Sequence, residues 1–111
     1  MKYLLLICAD GVFDAAEHTP EELDPEPWVE EMTRRGVRLT GDRVRAASDA
    51  TTVRVRGGET LLTDGPFAET KEQMAGFDII ECADLDEAIE VAAKHPMAKL
   101  GMVEVRPFWT E

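Results

Sequence analysis

The chain has 111 residues, 44% apolar and 32% charged, with 8 Gly, 6 Pro and 2 Cys. That length builds one domain (residues 1–111) around its own core, and the composition excludes disorder, a collagen-like repeat and a membrane bundle. The 23 acidic and 12 basic residues give a net charge of −11, so nucleic acid is not expected as a partner, because its phosphates would repel the chain.

The charge is uneven. Residues 34–56 hold seven Arg against Asp42 and Asp49, a local +5, while the remainder sums to −16. Opposite fields on one small body suit self-association or a charged partner, and equally suit solvated strand edges.

In chain order, residues 3–8 form an apolar run without alternation, expected as a strand buried near the centre of a sheet. Lys2 followed by this run imitates a signal peptide. The run is short for one, Ile7 is too large to precede a processed Cys8, and Asp10 follows at once, so the expectation is a cytoplasmic chain with reduced thiols. Residues 9–23 read as an acidic loop with a turn of helix. Asp24 is a candidate N-cap for a helix that carries Trp28, Val29 and Met32 on one side and ends at Gly36. Residues 37–40 alternate as a strand, and the alternation resumes at 43–46. Residues 51–56 and 59–63 flank Gly57-Gly58, the pattern of a β-hairpin.

Beyond a turn at 64–66 and a further helical turn, residues 76–82 read as a strand. Asp84 caps a helix to about Lys94, with Leu85, Ala88, Ile89 and Ala92 expected on its buried face. His95-Pro96 closes that helix, His95 as a C-terminal cap, and residues 102–106 form the last strand. The order is βαβ, hairpin, βαβ. With the hairpin as an insertion, this is the βαββαβ pattern of a ferredoxin-like α+β domain. Right-handed crossovers put both helices on one sheet face. Val103 and Val105 then point to the helices, and Met102, Glu104 and Arg106 to an open face that a second copy would cover, enclosing a cavity between two sheets. Cys8 and Cys82 fall at opposite ends of neighbouring antiparallel strands and are not expected to bond.

The most informative stretch is Thr63-Asp64-Gly65-Pro66-Phe67-Ala68-Glu69-Thr70-Lys71-Glu72-Gln73-Met74-Ala75-Gly76-Phe77. Asp64 can accept from backbone N–H groups, Gly65 can take positive φ, and Pro66 fixes the exit. Glu69, Thr70, Lys71 and Glu72 crowd acid, hydroxyl and ammonium groups beside this turn. Two readings stand: a cradle for a small oxygen-rich molecule, or a turn whose charges pair locally.

This stretch, together with Leu85-Asp86-Glu87-Ala88 and Val103-Glu104-Val105-Arg106-Pro107, closely resembles the signature of DGPF-domain proteins, a branch of the YCII-related family. The resemblance runs from Met1 to Pro107 and is weakest over residues 10–50. It implies a ferredoxin-like fold dimerised through its sheets (a dimeric α/β barrel) and genomic proximity to extracytoplasmic-function sigma factors. Some YCII relatives resemble small-molecule enzymes working through a His–Asp pair. The position of their His falls on Pro25 here. Asp42 stands where the Asp falls, without its partner, and His18 lies seven residues too early. Asp78 occupies a position where DGPF proteins commonly carry an aromatic residue.

Paired Cys/His ligands, a phosphate loop and a nucleophile elbow are all missing from the sequence, so neither metal nor cofactor is expected. General acid–base chemistry by carboxylates is what the residues permit. His18 is a candidate base or a solvated loop residue. Glu104 and Arg106, two apart on one strand, form either an acid and anion clamp or an ion pair. The weak catalytic candidates are thus Asp42, Asp64, Glu104 and His18, and the ligand-binding candidates Asp64, Glu69, Lys71, Asp78 and Arg106. The leading expectation is a homodimeric, cofactor-free small-molecule-binding protein with acid–base lyase or isomerase capability. The alternative is a non-enzymatic regulatory partner, of a sigma factor for instance, docking through the Arg-rich strands.

Overall fold

The computed structural model describes residues 1–10, 14–65 and 72–110. The apolar run becomes β1 (Lys2–Asp10). A 3-10 turn, Ala15–Glu17, and a single-turn helix α1 (Pro20–Leu23) follow. α1 is fixed by a reciprocal cap in which the Thr19 hydroxyl accepts from Glu22 N and the Glu22 carboxylate from Thr19 N. α2 (Glu26–Arg34) starts two residues beyond Asp24, whose carboxylate accepts from Glu26 N at 3.0 Å. It stops at Gly36, where φ is +70°.

β2 (Arg38–Arg43) runs through Gly41-Asp42 as one strand with an irregularity between Arg38 and Thr40. β3 (Thr51–Arg56) and β4 (Glu59–Asp64) form the hairpin as a separate two-stranded sheet. Its turn residues Gly57 and Gly58 both have positive φ, the geometry a two-residue hairpin turn needs. β5 (Glu72–Glu81) starts earlier than the alternation indicates. The helical turn expected after residue 66 lies outside the described residues.

α3 (Leu85–Ala93) is capped by Asp84, which accepts from Glu87 N at 2.9 Å. A second single-turn helix, α4 (Met97–Leu100), leads to β6 (Met102–Pro107). The main sheet has the order β2-β5-β1-β6, and each neighbouring pair is antiparallel. This α+β arrangement is compatible with a ferredoxin-like fold.

Tyr3, Leu5 and Ile7 from β1, Ile80 from β5, Trp28 and Met32 from α2, and Ala88, Val91 and Ala92 from α3 make the core, with Val103 and Val105 packed against it. The expected inner face of α3 is corrected in part. Ala88 and Ala92 are buried, but Leu85 and Ile89 are each half exposed, and Val91 is fully buried instead. The small side chains let the helix sit close to the sheet, while Leu85 and Ile89, one turn apart, share the outer side. The Trp28 indole donates to the Val91 carbonyl at 2.9 Å, tying α2 to α3. Arg35 and Lys94 bridge Glu31 and Glu90 across the same pair of helices.

Cys8 and Cys82 form no disulfide with each other. Burial pushes the Cys82 thiol up to about 11, which keeps it protonated and unreactive at neutral pH. Among the described residues no helix is long and apolar enough to cross a membrane.

Candidate functional site

Alternation along β1 sends Tyr3, Leu5 and Ile7 inward and leaves Leu4, Leu6 and Cys8 half-buried on the opposite face. Residues directly opposite each other on neighbouring strands share a face, so the register lays out that face in rows. One row reads Asp42, Phe77, Leu6, Glu104, and the next reads Thr40, Ile79, Leu4, Arg106. Met74 and Met102 flank Cys8 in a third. The open face is therefore apolar along its two central strands and polar along both edges. Asp42 and Glu104 stand about 14 Å apart across three inter-strand steps.

Glu104 pairs with Arg106, both exposed to solvent. Asp42 accepts from the Arg43 backbone N–H at 2.8 Å and is also exposed. These three carry the polar chemistry of the open face. An acid beside a guanidinium can hold an anionic group and exchange a proton with it.

The remaining candidates lie elsewhere. Asp64 is exposed at the end of β4, opposite Thr51. Next to it Gly65 has φ +96°, donates to the Ala50 carbonyl at 2.7 Å and accepts from the Thr52 hydroxyl at 2.8 Å. His18 sits beside α1, with Nδ1 3.0 Å from the Glu22 carboxylate. Glu69 and Lys71 lie outside the described residues.

Asp78 is buried and turned toward the helix-covered face, where its carboxylate accepts from Arg38 Nε at 2.8 Å. Burial raises the Asp78 carboxyl above its ordinary range, against the opposing pull of Arg38. Gly41 is its strand partner; a Cβ there would collide with the Asp78 carboxylate and the Phe77 carbonyl, so only glycine leaves room for the pair. Two Arg of the basic segment are likewise engaged, Arg35 by Glu90 and Arg45 by Asp49, which reduces the local excess of positive charge.

Sequence reasoning passes over Arg38 and Gly41, since only strand register brings them to Asp78. It also passes over the burial of His95, which lies edge-on to Trp28 with ring centres 4.9 Å apart. Its Nδ1 accepts from Met97 N at 3.0 Å, so it caps the start of α4 and not the last carbonyls of α3. Among the described residues no three His, Cys, Asp or Glu side chains gather as metal ligands.

The YCII-related domain matches residues 1–110. An uncharacterised protein of Rhizobium meliloti (strain 1021) is 49% identical over 67 residues, 59% of this chain and 54% of that protein. The chain thus spans about half the length of the curated relative it matches. With the family match extending from before β1 to beyond β6, the chain belongs to the YCII-related family.

Proposed function

We propose that the protein is a homodimer of ferredoxin-like subunits that meet sheet against sheet as a dimeric α/β barrel and bind a small molecule between them without a cofactor. The observation that carries this reading is the open face. Leu4, Leu6, Phe77, Ile79 and Met102 are left partly uncovered in the single chain, framed by Asp42, Glu104 and Arg106. A two-fold axis through such a face buries the apolar centre and repeats each edge group on the far side. Asp64, at the end of β4, and Glu69 and Lys71, on the segment that follows it, complete the ligand contacts. Asp78 is held by Arg38 and keeps a structural role.

In this reading the ligand is a small carboxylic or hydroxy acid. Its carboxylate takes the Arg106 guanidinium, which releases Glu104 to act as general base or acid in a lyase or isomerase step. His18, bound to Glu22, takes no part. The test is a thermal-shift screen of small aromatic and hydroxy acids against the wild type, Arg106→Gln and Glu104→Gln. Hits that vanish in Arg106→Gln support the reading, and a screen in which no hit depends on Arg106 or Glu104 contradicts it.

A competing reading rests on the hairpin. Val53, Val55 and Leu62 share one of its faces and are 59%, 59% and 67% exposed, while Arg54 and Arg56 share the other. In that reading the hairpin docks a protein partner, such as the sigma factor suggested by the family resemblance, and the sheet face performs no chemistry. A chain that sediments as a monomer and binds none of the screened acids favours it.

A further inference from the structure

On the side of the sheet away from the open face, α1 and α2 stand apart from α4 and the turn before it, leaving a cleft of about 510 Å³. Its floor includes Trp28, Pro27 and Leu100, and its polar groups include His95, Lys99 and Glu31. His95 is only 5% exposed. Because Nδ1 accepts from Met97 N, the ring proton belongs on Nε2. Among the described residues no acceptor meets that Nε2–H, and the nitrogen is not sealed away from solvent. That N–H opens on the cleft, where solvent or a ligand receives it.

The charges around the cleft divide clearly. Its carboxylates are engaged within the protein: Glu22 by His18 and Thr19 N, Asp24 by Glu26 N, and Glu31 by Lys94 and Arg35. Lys94 is engaged by Glu31 and Glu90. Lys99 forms no ion pair with a described residue. Among the described residues, the cleft's donors without an acceptor are thus an ammonium and a neutral N–H, beside an aromatic and aliphatic floor.

We infer that this cleft is a second binding site, for a small monocarboxylate with an aromatic or branched apolar body, its carboxylate accepting from His95 Nε2–H and Lys99 and its body lying against Trp28, Pro27 and Leu100. Burial holds the His95 imidazole down to about 4, so at neutral pH the ring is an uncharged donor and Lys99 supplies the charge. The site shares no residue with the sheet face and stands whether or not that face binds a ligand.

The test uses phenylacetate as the probe, with benzylamine and benzyl alcohol as controls. The chain has two Trp, and Trp109 is 96% exposed, so a Trp109→Phe background isolates the fluorescence of Trp28. Phenylacetate is expected to change that fluorescence saturably at millimolar concentration, with both controls weaker by about tenfold or more. In that background, Lys99→Gln and His95→Asn are each expected to weaken it by about tenfold. Asn can keep an acceptor for Met97 N while removing the Nε2–H, and circular dichroism verifies the fold. Arg106→Gln is expected to leave the Trp28 response unchanged, separating this site from the sheet face. A flat Trp28 signal, preference for benzylamine, or binding unchanged in both Lys99→Gln and His95→Asn would overturn the inference.

Discussion

Asp78 and Arg38 join β5 to the edge strand β2 through a 2.8 Å hydrogen-bonded ion pair on the sheet's helix-covered face. The Arg38 side chain is 20% exposed and that of Asp78 only 9%, so neither charge is well solvated without the other. Asp78→Ala should therefore lower the unfolding free energy by about 2–3 kcal/mol, because it leaves a mostly buried guanidinium unpaired. The double variant Arg38→Met, Asp78→Leu should recover most of that loss, since a buried pair is often no better than apolar packing. Urea denaturation of the single and double variants measures both. The pH dependence has a definite sign. The raised Asp78 pKa means that the folded state holds this proton longer than the unfolded chain, so the contribution linked to Asp78 titration is full at low pH and declines as pH rises through the carboxylate range.

His95 gives the opposite slope. Its folded pKa, lowered from 6.5 to about 4 by burial, means that the unfolded chain binds a proton the folded one refuses. Stability should fall as pH drops from about 6.5 toward 4, by on the order of 2–3 kcal/mol. The Glu31 and Glu90 carboxyls are held below the usual 4.5 by Lys94 and Arg35 respectively, so their contribution is lost only at lower pH. Denaturation midpoints between pH 4.5 and 6.5 should slope upward in the wild type and flatten in His95→Asn. An unchanged slope in the variant would show that another group controls it.

Gly65 has φ +96° at the end of the hairpin, held through its N–H by Ala50 and through its carbonyl by Thr52. A β-branched side chain is strained there, and Gly65→Val should destabilise by about 1–3 kcal/mol. Thr52→Val, which removes the hydroxyl donor to the Gly65 carbonyl, should cost about 1 kcal/mol. A denaturation midpoint unmoved by Gly65→Val would mean that this backbone geometry is not retained in solution.

The centre of the open face offers a direct perturbation. Phe77→Asp sets a carboxylate between Asp42 and Leu6 in the cross-sheet row. It should split the proposed dimer, while sparing the fold of each subunit because Phe77 lies outside the buried core. Circular dichroism together with light scattering separates dissociation from unfolding.

The strands were legible because their alternation and their Gly boundaries are local signals. The run at β1 fixed a central strand, and Gly57-Gly58 fixed the hairpin. A turn of helix within residues 9–23 was legible, though not its place at α1, and the single-turn helix α4 was not legible, since four residues carry no helical period. The buried side of α3 was half legible. Leu85 and Ile89 fit an apolar stripe as well as Ala88 and Val91 do, and only packing against the sheet decides between them. Glu104 and Arg106 were legible as neighbours because two residues along a strand share a face. Their alignment with Asp42, and the meeting of Arg38, Gly41 and Asp78, depend on register between strands far apart in sequence. The cleft around His95 depends on how α2 and α4 lie across the sheet, which no local pattern specifies.

Everything proposed for the sheet face requires that two copies cover it. Sedimentation equilibrium of the wild-type chain at micromolar concentration measures this directly. The account predicts a species of twice the 12.3 kDa chain mass that reverts to single chains in Phe77→Asp. A wild-type protein that remains at the mass of one chain throughout that range would contradict it.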